Sequence, residues 1–597
     1  MYPCNMTLIC LRYRMTCCIM VVMYIDVVPN RSSPPAVLLR ESYREGDKVK
    51  KRTLANLSAL PAEAIAAVRA TLRGQALLPA DEAFEILRAE PHGHVAAVLG
   101  MMKRLGMAGL LSTRDRPEQD LALAMIAARV IAPDSKLATA RGLDAETLSS
   151  SLGSELGIGR AEVDDLYEAM DWLVGAQARI EKKLAARHLE DGQFVLWDAT
   201  AVRFDSRTSE LAQFGRPKRG GKSESQLVFG LLMTPEGVPV AVEVFAGNTG
   251  DPSTVGPVLD RIQERFGLRK VTVVGDRGML TETRITAELR PRELDWITSL
   301  RAPTIRKLHE EGPLQLSLFD ERDLAEITSP DFPGERLIAC RNPLLARERA
   351  RKREVLVQAT EAKLETLVKT TARQKNPLRG KDRIGVRAGK ILGGSKVAKH
   401  FRYEVTDDAF TFERNPESIA REAALDGIYV ICTSVSAEAL TAEDVVRAYK
   451  ELSVVEQAFR VTKDFALEVE PIRHRREDRI RAHVFLCMLA FYVRKHMEQA
   501  LAPMLFVDHD PRGGGTERRS IVAPAVRSSA ARTKIRRECG DDGLPIHAFK
   551  SLMDDLATLT KNTVQMGDTE VTFERYARPT ELQQRALDLL GVPVSLT

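Results

Sequence analysis

The chain has 597 residues, 44% of them hydrophobic and 28% charged, with a formal net charge of +5. That composition supports several folded domains with cores of their own and excludes a chain disordered throughout. The charge is uneven: residues 341 to 400 hold 17 Lys or Arg against 5 Asp or Glu, a local balance of +12 that leaves −7 for the rest. A localised basic segment suits a polyanionic partner. For residues 346 to 375 alone, a solvated helix of mixed charge accounts for the pattern equally well.

Four of the eight cysteines (Cys4, Cys10, Cys17, Cys18) fall in the first 18 residues, and Cys340, Cys432, Cys487 and Cys539 are scattered without CxxC spacing. This argues against a disulfide framework or a zinc site and for a reducing compartment. The apolar run "MTCCIMVVMYI" is about eleven residues long, too short to span a bilayer, so no membrane partner is expected. Its composition differs from everything after Met23. The expectation is that translation starts at Met23 and that residues 1–22 are a start-site artefact.

Residues 23–60 read as short strands broken by turn residues. From 61 to 190, Ala, Leu and Glu recur at helical spacing, as in "PAEAIAAVRATLRG", which predicts a helical region. At 191 the period changes. "FVLWDATAVRF" is a strand apolar at successive positions, interrupted by Asp198. "QLVFGLLMTPEGVPVAVEVFAGN" is a hairpin turning at Pro235-Glu236-Gly237. Asp251 is expected to cap a helix with Pro252 at its first position. "KVTVVGD" is a buried strand ending at Asp276, and after a short helix "LDWITSLR" closes the block at residue 300. Residues 301–425 interrupt it with a basic helix and strand-like pieces such as "FRYEVTDDAFTFERN". The α/β pattern resumes over 426–495 with "GIYVICTS" and a long helix from Thr441. Residues 496–597 read as short helices behind the Gly-rich "DPRGGGTERRS". No internal repeat and no Walker-type phosphate loop is present, so ATP hydrolysis is not indicated.

A carboxylate inside an apolar strand needs compensation, and functional groups of open α/β sheets gather at strand ends. Asp198 and Asp276 therefore stand as candidates to meet at one sheet edge, although either acid alone is more often a cap, a turn or a salt-bridge residue. A third acid lies in "AYKELSVVEQAFRVTK". Thr441 and Asp444 form a capping box, and Ala448, Leu452, Val455 and Phe459 form an apolar stripe. Tyr449, Glu456 and Lys463, seven apart, form a second column at its edge. An ordinary amphipathic helix has the same spacing. Carboxylates sharing a site raise one another's pKa unless cations hold them ionised. Two Mg²⁺ (or Mn²⁺) ions would supply that charge and activate water for in-line attack on phosphorus. On this reading Lys463 binds a substrate phosphate and Tyr449 stacks or hydrogen-bonds near the cut strand.

These residues resemble a known family. "FVLWDATAVRF", "SQLVFGLL", "GVPVAVEVFAGNTGD", "VVGDRGM", "YKELSVVEQAFRVTK" and "EPIRHRREDRIRAHVFLCMLAFYV" together resemble a DDE transposase of the IS4-like superfamily, nearest the IS1634 group, from Met23 almost to the C-terminus. The resemblance implies an α/β fold with an RNase H-like catalytic core, a β-rich insertion before the last catalytic helix, and helical N- and C-terminal regions; it alone implies that the helical region 61–190 binds DNA. It implies Asp198, Asp276 and Glu456 as the metal-binding catalytic triad, and Tyr449 and Lys463 as DNA-contacting residues. The family's Arg position holds Leu452, with Arg460 or Lys450 as substitutes. The implied partners are double-stranded DNA, as the element's terminal inverted repeats and the target, and a second copy of the chain on DNA. The implied setting is the bacterial cytoplasm at the nucleoid. Two other readings stay open: an RNase H-like nuclease that cuts without joining, and a DNA-binding protein whose catalysis has decayed. His400, His474 and His483, flanked by Arg and Lys, are read as basic-surface residues rather than ligands. Asp205 and Glu243 are accessory acids with no geometric argument, and Trp197 is read as core.

Overall fold

This computed structural model describes residues 22–596, apart from 32, 76–82, 148, 216–223, 321, 464–465, 509–520, 523–526 and 568. Residues 1–21, and the start-site expectation with them, lie outside the described part. The chain divides into two compact units.

The first unit takes the described residues up to Ala89 with Asn562–Arg575. Strands β1 (Val22–Val28), β2 (Ala36–Glu45) and β3 (Lys48–Asn56) form an antiparallel meander, and helix α1 (Ala62–Leu72) follows behind Pro61. Strand β4 (Phe84–Pro91) is an edge of a small sheet completed by the late strands Thr560–Met566 and Thr572–Tyr576. Phe84 meets Phe573 edge to face at 6.1 Å. The short strands expected over 23–60 are present as β1–β3, but the expectation of helices alone over 61–190 and 496–597 is corrected here. "FEILRAEP" and "TKNTVQM" find their partners some 470 residues apart, a pairing that local periodicity does not carry.

The second unit holds the remainder. Its leading helices are α2 (Gly93–Arg104), α3 (Pro117–Ile131), α4 (Lys136–Leu143) and α5 (Val163–His188). Then come β5 (Phe194–Arg203), β6 (Gln213–Gly215), β7 (Glu224–Met233), β8 (Pro239–Ala246), β9 (Thr272–Val274), β10 (Asp295–Ser299), β11 (Leu324–Ile327) and β12 (Arg336–Arg341). Helices α6 (Pro343–Thr371) and α7 (Lys381–Gly393) and the hairpin β13 (Phe401–Val405)–β14 (Phe410–Arg414) precede β15 (Ile428–Thr433). Helices α8 (Ala442–Lys450), α9 (Leu452–Lys463) and α10 (Glu477–Ala500) follow.

Among the described residues one sheet of nine strands runs β11-β12-β15-β10-β9-β5-β7-β6, with β8 also paired to β7. The pairs β5–β9 and β9–β10 are parallel; β5–β7, β7–β8 and β10–β15 are antiparallel. Covered on both faces, the central strands are continuously apolar, as parallel strands are. Helix α10 is buried almost all round, from Ile480 to Met497, and packs on α3, α5 and β8. Its "FLCMLAFYV" is core; among the described residues no helix is long and apolar enough to cross a membrane.

Trp197 is 1% exposed and donates to Thr254 at 3.2 Å. Its ring lies on Gly230, where an added Cβ would come 2.3 Å from it, so the glycine in β7 makes room for the indole. Gly237 turns the β7–β8 hairpin at φ +83°, a left-handed backbone that glycine takes at no steric cost.

Three further expectations change. Asp251 makes no side-chain cap: Gly250 occupies the cap position and Asp251 opens a short 3-10 turn, in which its carbonyl accepts from Thr254 at 2.7 Å. The interruption is not β-rich, because the 29 residues of α6 dominate it and β11 and β12 join the main sheet. His400 and His483 are buried, His400 donating or accepting at Ser418 (3.0 Å) and His483 at the Val469 carbonyl (3.2 Å). Flanking charge described their neighbours in sequence, not in space.

Candidate active site

The ladder aligns Leu196 of β5, Val274 of β9 and Ile297 of β10 across three parallel strands. Two residues further on stand Asp198, Asp276 and Ser299. Gly275 donates to the Ile297 carbonyl at 3.2 Å, so the pairing persists to the edge where Asp276 leaves the sheet. With strands about 4.8 Å apart, the two acids belong to neighbouring positions at one level. Asp198 is half-buried and Asp276 exposed. The Asp198 carboxylate accepts from its own neighbour Ala199 N at 2.8 Å. That of Asp276 accepts from Gly278 N and Met279 N, both at 2.9 Å, which fixes the turn after β9. Partial exposure and main-chain donors answer much of the cost that an acid in an apolar strand raises.

The helix predicted from Thr441 is jointed. α8 starts as expected, with the Thr441 hydroxyl accepting from Asp444 N at 3.2 Å, and ends at Lys450; Glu451 is a turn and α9 begins at Leu452. Val454 lies against Gly237 in the β7–β8 turn, near the start of β5. At the other end of α9 the Lys463 ammonium donates to the Thr200 hydroxyl and the Ala201 carbonyl on β5. Phe459 meets Phe229 of β7 edge to face at 5.4 Å. α9 therefore runs alongside β5 in the same sense. Glu456 stands two turns before Lys463, about 10.5 Å along the axis, or about three strand residues. That returns it to the level of Asp198, with its carboxylate exposed.

Tyr449 ties the first half of the joint to the sheet by donating to Ser299 at 2.7 Å. Its phenol is held above the ordinary tyrosine range, by burial first and also by the charges of Asp276 and Glu456. One hydroxyl thus senses the second and third acids together. Among the described residues, no three His, Cys, Asp or Glu stand close enough to share a single ion: the acids face one edge without closing into a cage.

Two family models match the chain: "Transposase DDE domain" over residues 190–493, and "IS1634 family transposase, N-terminal domain" over residues 25–81. The first spans half of the chain and contains all three acids. The chain belongs to the DDE transposases of the IS1634 group. It is an insertion-sequence transposase, an enzyme that cleaves DNA and transfers strands. No curated protein matches it. Among solved structures it is similar to the piggyBac transposase synaptic complex with hairpin DNA, at 8% identity and a TM-score of 0.32, over 78% of this chain and 76% of that one.

A substrate as long as a duplex needs an open edge rather than a pocket, and that is where this transposase carries its acids. A cavity of about 370 Å³ lies elsewhere, among the N-terminal helices, lined by Arg114, Arg116, Trp172, Arg179 and Lys183. Arg460 is exposed and makes no ion pair among the described residues; Lys450 donates to the Ile521 carbonyl; Leu452 is half-buried against the core. Glu243 is tied to Arg261 and Arg481, which makes it structural. Sequence reasoning missed Ser299 and Thr200, whose only signal was a register it had no means to read. It also missed Glu451 at the joint, where burial and the nearby Glu236 push the carboxyl up to about 7.

Proposed function

We propose that Asp198, Asp276 and Glu456 form the catalytic triad of this transposase and together hold two Mg²⁺ (or Mn²⁺) ions. The observation that supports the reading is the common level of Asp198 and Asp276 on adjacent parallel strands, with α9 running along β5 so that Glu456 falls at about the same level. The donor set fits such ions: three carboxylates, hard oxygen ligands, with neither Cys nor His among them. Mg²⁺ needs no all-protein cage, since it keeps waters and takes substrate phosphate oxygens alongside one or two carboxylates. When bound, the ions would polarise the phosphodiester and activate the attacking oxygen in both cleavage and strand transfer.

The chain's own residues do the positioning. Tyr449 and Lys463 anchor the two halves of the jointed helix to β10 and β5, which holds Glu456 over the edge of the sheet. Arg460 and the exposed Arg383, Arg387 and Lys390 of α7 make no ion pair among the described residues and serve as duplex-backbone contacts. The order β8-β7-β5-β9-β10, three antiparallel strands and then two parallel ones, supports an RNase H-like core. The substrates on this reading are the element's terminal inverted repeats and target DNA, bound by two copies of the chain at the nucleoid.

The test uses labelled element ends and a target plasmid. Wild type should give Mg²⁺-dependent nicked and strand-transfer products that a chelator removes. Asp198→Ala, Asp276→Ala and Glu456→Ala should each bind the ends and give neither product. Unchanged cleavage in any one of them removes that residue from the site, and cleavage without joining in the wild type favours a nuclease.

A further inference from the structure

Lys136 opens α4 directly after its cap Ser135 and is 6% exposed. Among the described residues its ammonium makes no hydrogen bond and no ion pair. Arg129, 5% exposed at the end of α3, stands beside it and spends one donor on the Asp134 main-chain carbonyl at 3.0 Å, which leaves its charge unanswered. His474 and His483 complete the group, with ring centroids 5.1 Å apart. His483 is buried with its Nδ1 unpartnered, and the Cys487 sulfur lies 3.9 Å from its Nε2. The charges acting on His474 are those of Lys136, Arg129 and Arg479, all of one sign.

Two imidazoles and a thiol suggest a metal site. The two buried cations beside them exclude one, because a metal ion would be repelled where an anion is attracted. Burying an ammonium with no partner is costly. Here burial, with the Arg129 charge behind it, draws Lys136 down to about 7. An anion would return its charge and give Arg129 a partner. Outside the group, Arg473 and Arg475 are exposed and make no ion pair among the described residues; Arg475 shares a groove with Glu210 and Glu477, and Arg479 is paired with Asp171.

The location points to the donor of that anion. Ile472 N donates to the Arg203 carbonyl at 3.0 Å, and Asp205 N to the Ile472 carbonyl at 2.9 Å. The segment that carries His474 therefore hangs from the far end of β5, the strand of Asp198. Six residues of strand separate Asp198 from Phe204, roughly 20 Å. A DNA strand covers that length in about six nucleotide steps.

We propose that Lys136 and Arg129, with His474 at the mouth, form a seat for one phosphate of the DNA backbone, about six nucleotides from the bond that is cut. The distance rests on Asp198 lying in the active site; the seat does not. Arg473 and Arg475 guide the strand over it, and the seat fixes how far the duplex slides along β5.

The test is Lys136→Met in the full chain. The slope of log K against log salt for duplex DNA bearing the element end should shrink by about 0.9, the loss of one phosphate contact. The unfolding midpoint without DNA should not fall, because an unpaired buried charge has been removed. Inorganic phosphate should stabilise the wild type more than chloride at equal ionic strength, and should not stabilise the Met variant. Lys136→Arg should keep the wild-type slope; if the Met variant does not fold, the phosphate titration of the wild type and ethylation interference at the sixth phosphate decide. An unchanged slope overturns the proposal, as does a wild type indifferent to phosphate. Stabilisation by phosphate with an unchanged slope marks a free-phosphate site and overturns the DNA reading. Repeating the binding series with Asp198→Ala, which lacks cleavage on the proposed mechanism, keeps a failure of the seat distinct from a failure of the triad.

Discussion

Asp198 and Asp276 are held by main chain, Glu456 by side chains. The two aspartates take their places from the β5–β9–β10 ladder, whose register cannot slip without turning whole strands inside out. Glu456 rides on α9, which is separated from α8 by Glu451 and fastened by the Tyr449–Ser299 and Lys463–Thr200/Ala201 bonds. The proposed site thus has a rigid half and a hinged half. A hinge gives the third acid a position that a few hydrogen bonds, rather than the whole sheet, determine.

Substituting the acids tests whether the halves matter equally. Asp198→Asn, Asp276→Asn and Glu456→Gln should each lower cleavage by about 10³-fold or more, the scale of a lost metal-assisted stabilisation of several kcal/mol. Near-normal activity of the Glu456 variant alone would leave the site with its rigid half only. Lys463→Met comes next. Releasing α9 from β5 should cost about 1.5–3 kcal/mol in urea unfolding and about 10–100-fold in cleavage. A lower DNA affinity with unchanged stability would instead make Lys463 a phosphate ligand and remove it from the hinge.

Tyr449→Phe should cost about 1 kcal/mol of stability, the net value of one hydrogen bond, with a correspondingly modest loss of rate. The last effect is a change of slope. Glu451 keeps its proton in the folded chain up to about pH 7 and loses it near the ordinary carboxyl value when unfolded. Folded protein therefore binds the extra proton between those values. Stability contributed by the neutral form is full below the unfolded pKa and is lost as pH rises through about 7. Glu451→Gln should flatten that decline in a pH series of unfolding curves; an unaltered series shows that the carboxyl is as acidic folded as unfolded.

The rigid half was readable in the sequence. An acid interrupting "FVLW…ATAV" and another ending "VTVVGD" stand out because strands covered on both faces tolerate few charges. The order of strands and helices from 194 to 299 follows from the same runs, as does the capping box at Thr441. The hinged half was not readable. Glu451 carries no helix-breaking signature, and the two halves it separates are bonded to different strands, Tyr449 to β10 and Lys463 to β5. Their polar heads looked available for DNA because spacing gives direction around a helix and says nothing of what lies opposite. The β4 sheet escaped notice because its strands are brought together only by tertiary folding.

The place of β15 has a consequence for synthesis on the ribosome. This strand lies between β10 and β12 in the sheet yet emerges more than a hundred residues after β10. Until it arrives, the nascent chain presents β10 as a raw edge beside finished strands, ready to pair with any other extended segment. A product terminated before β15 would keep that raw edge and would also lack Glu456 of the proposed triad, so the truncation that takes away an acid leaves the sheet open to pairing with other extended chains.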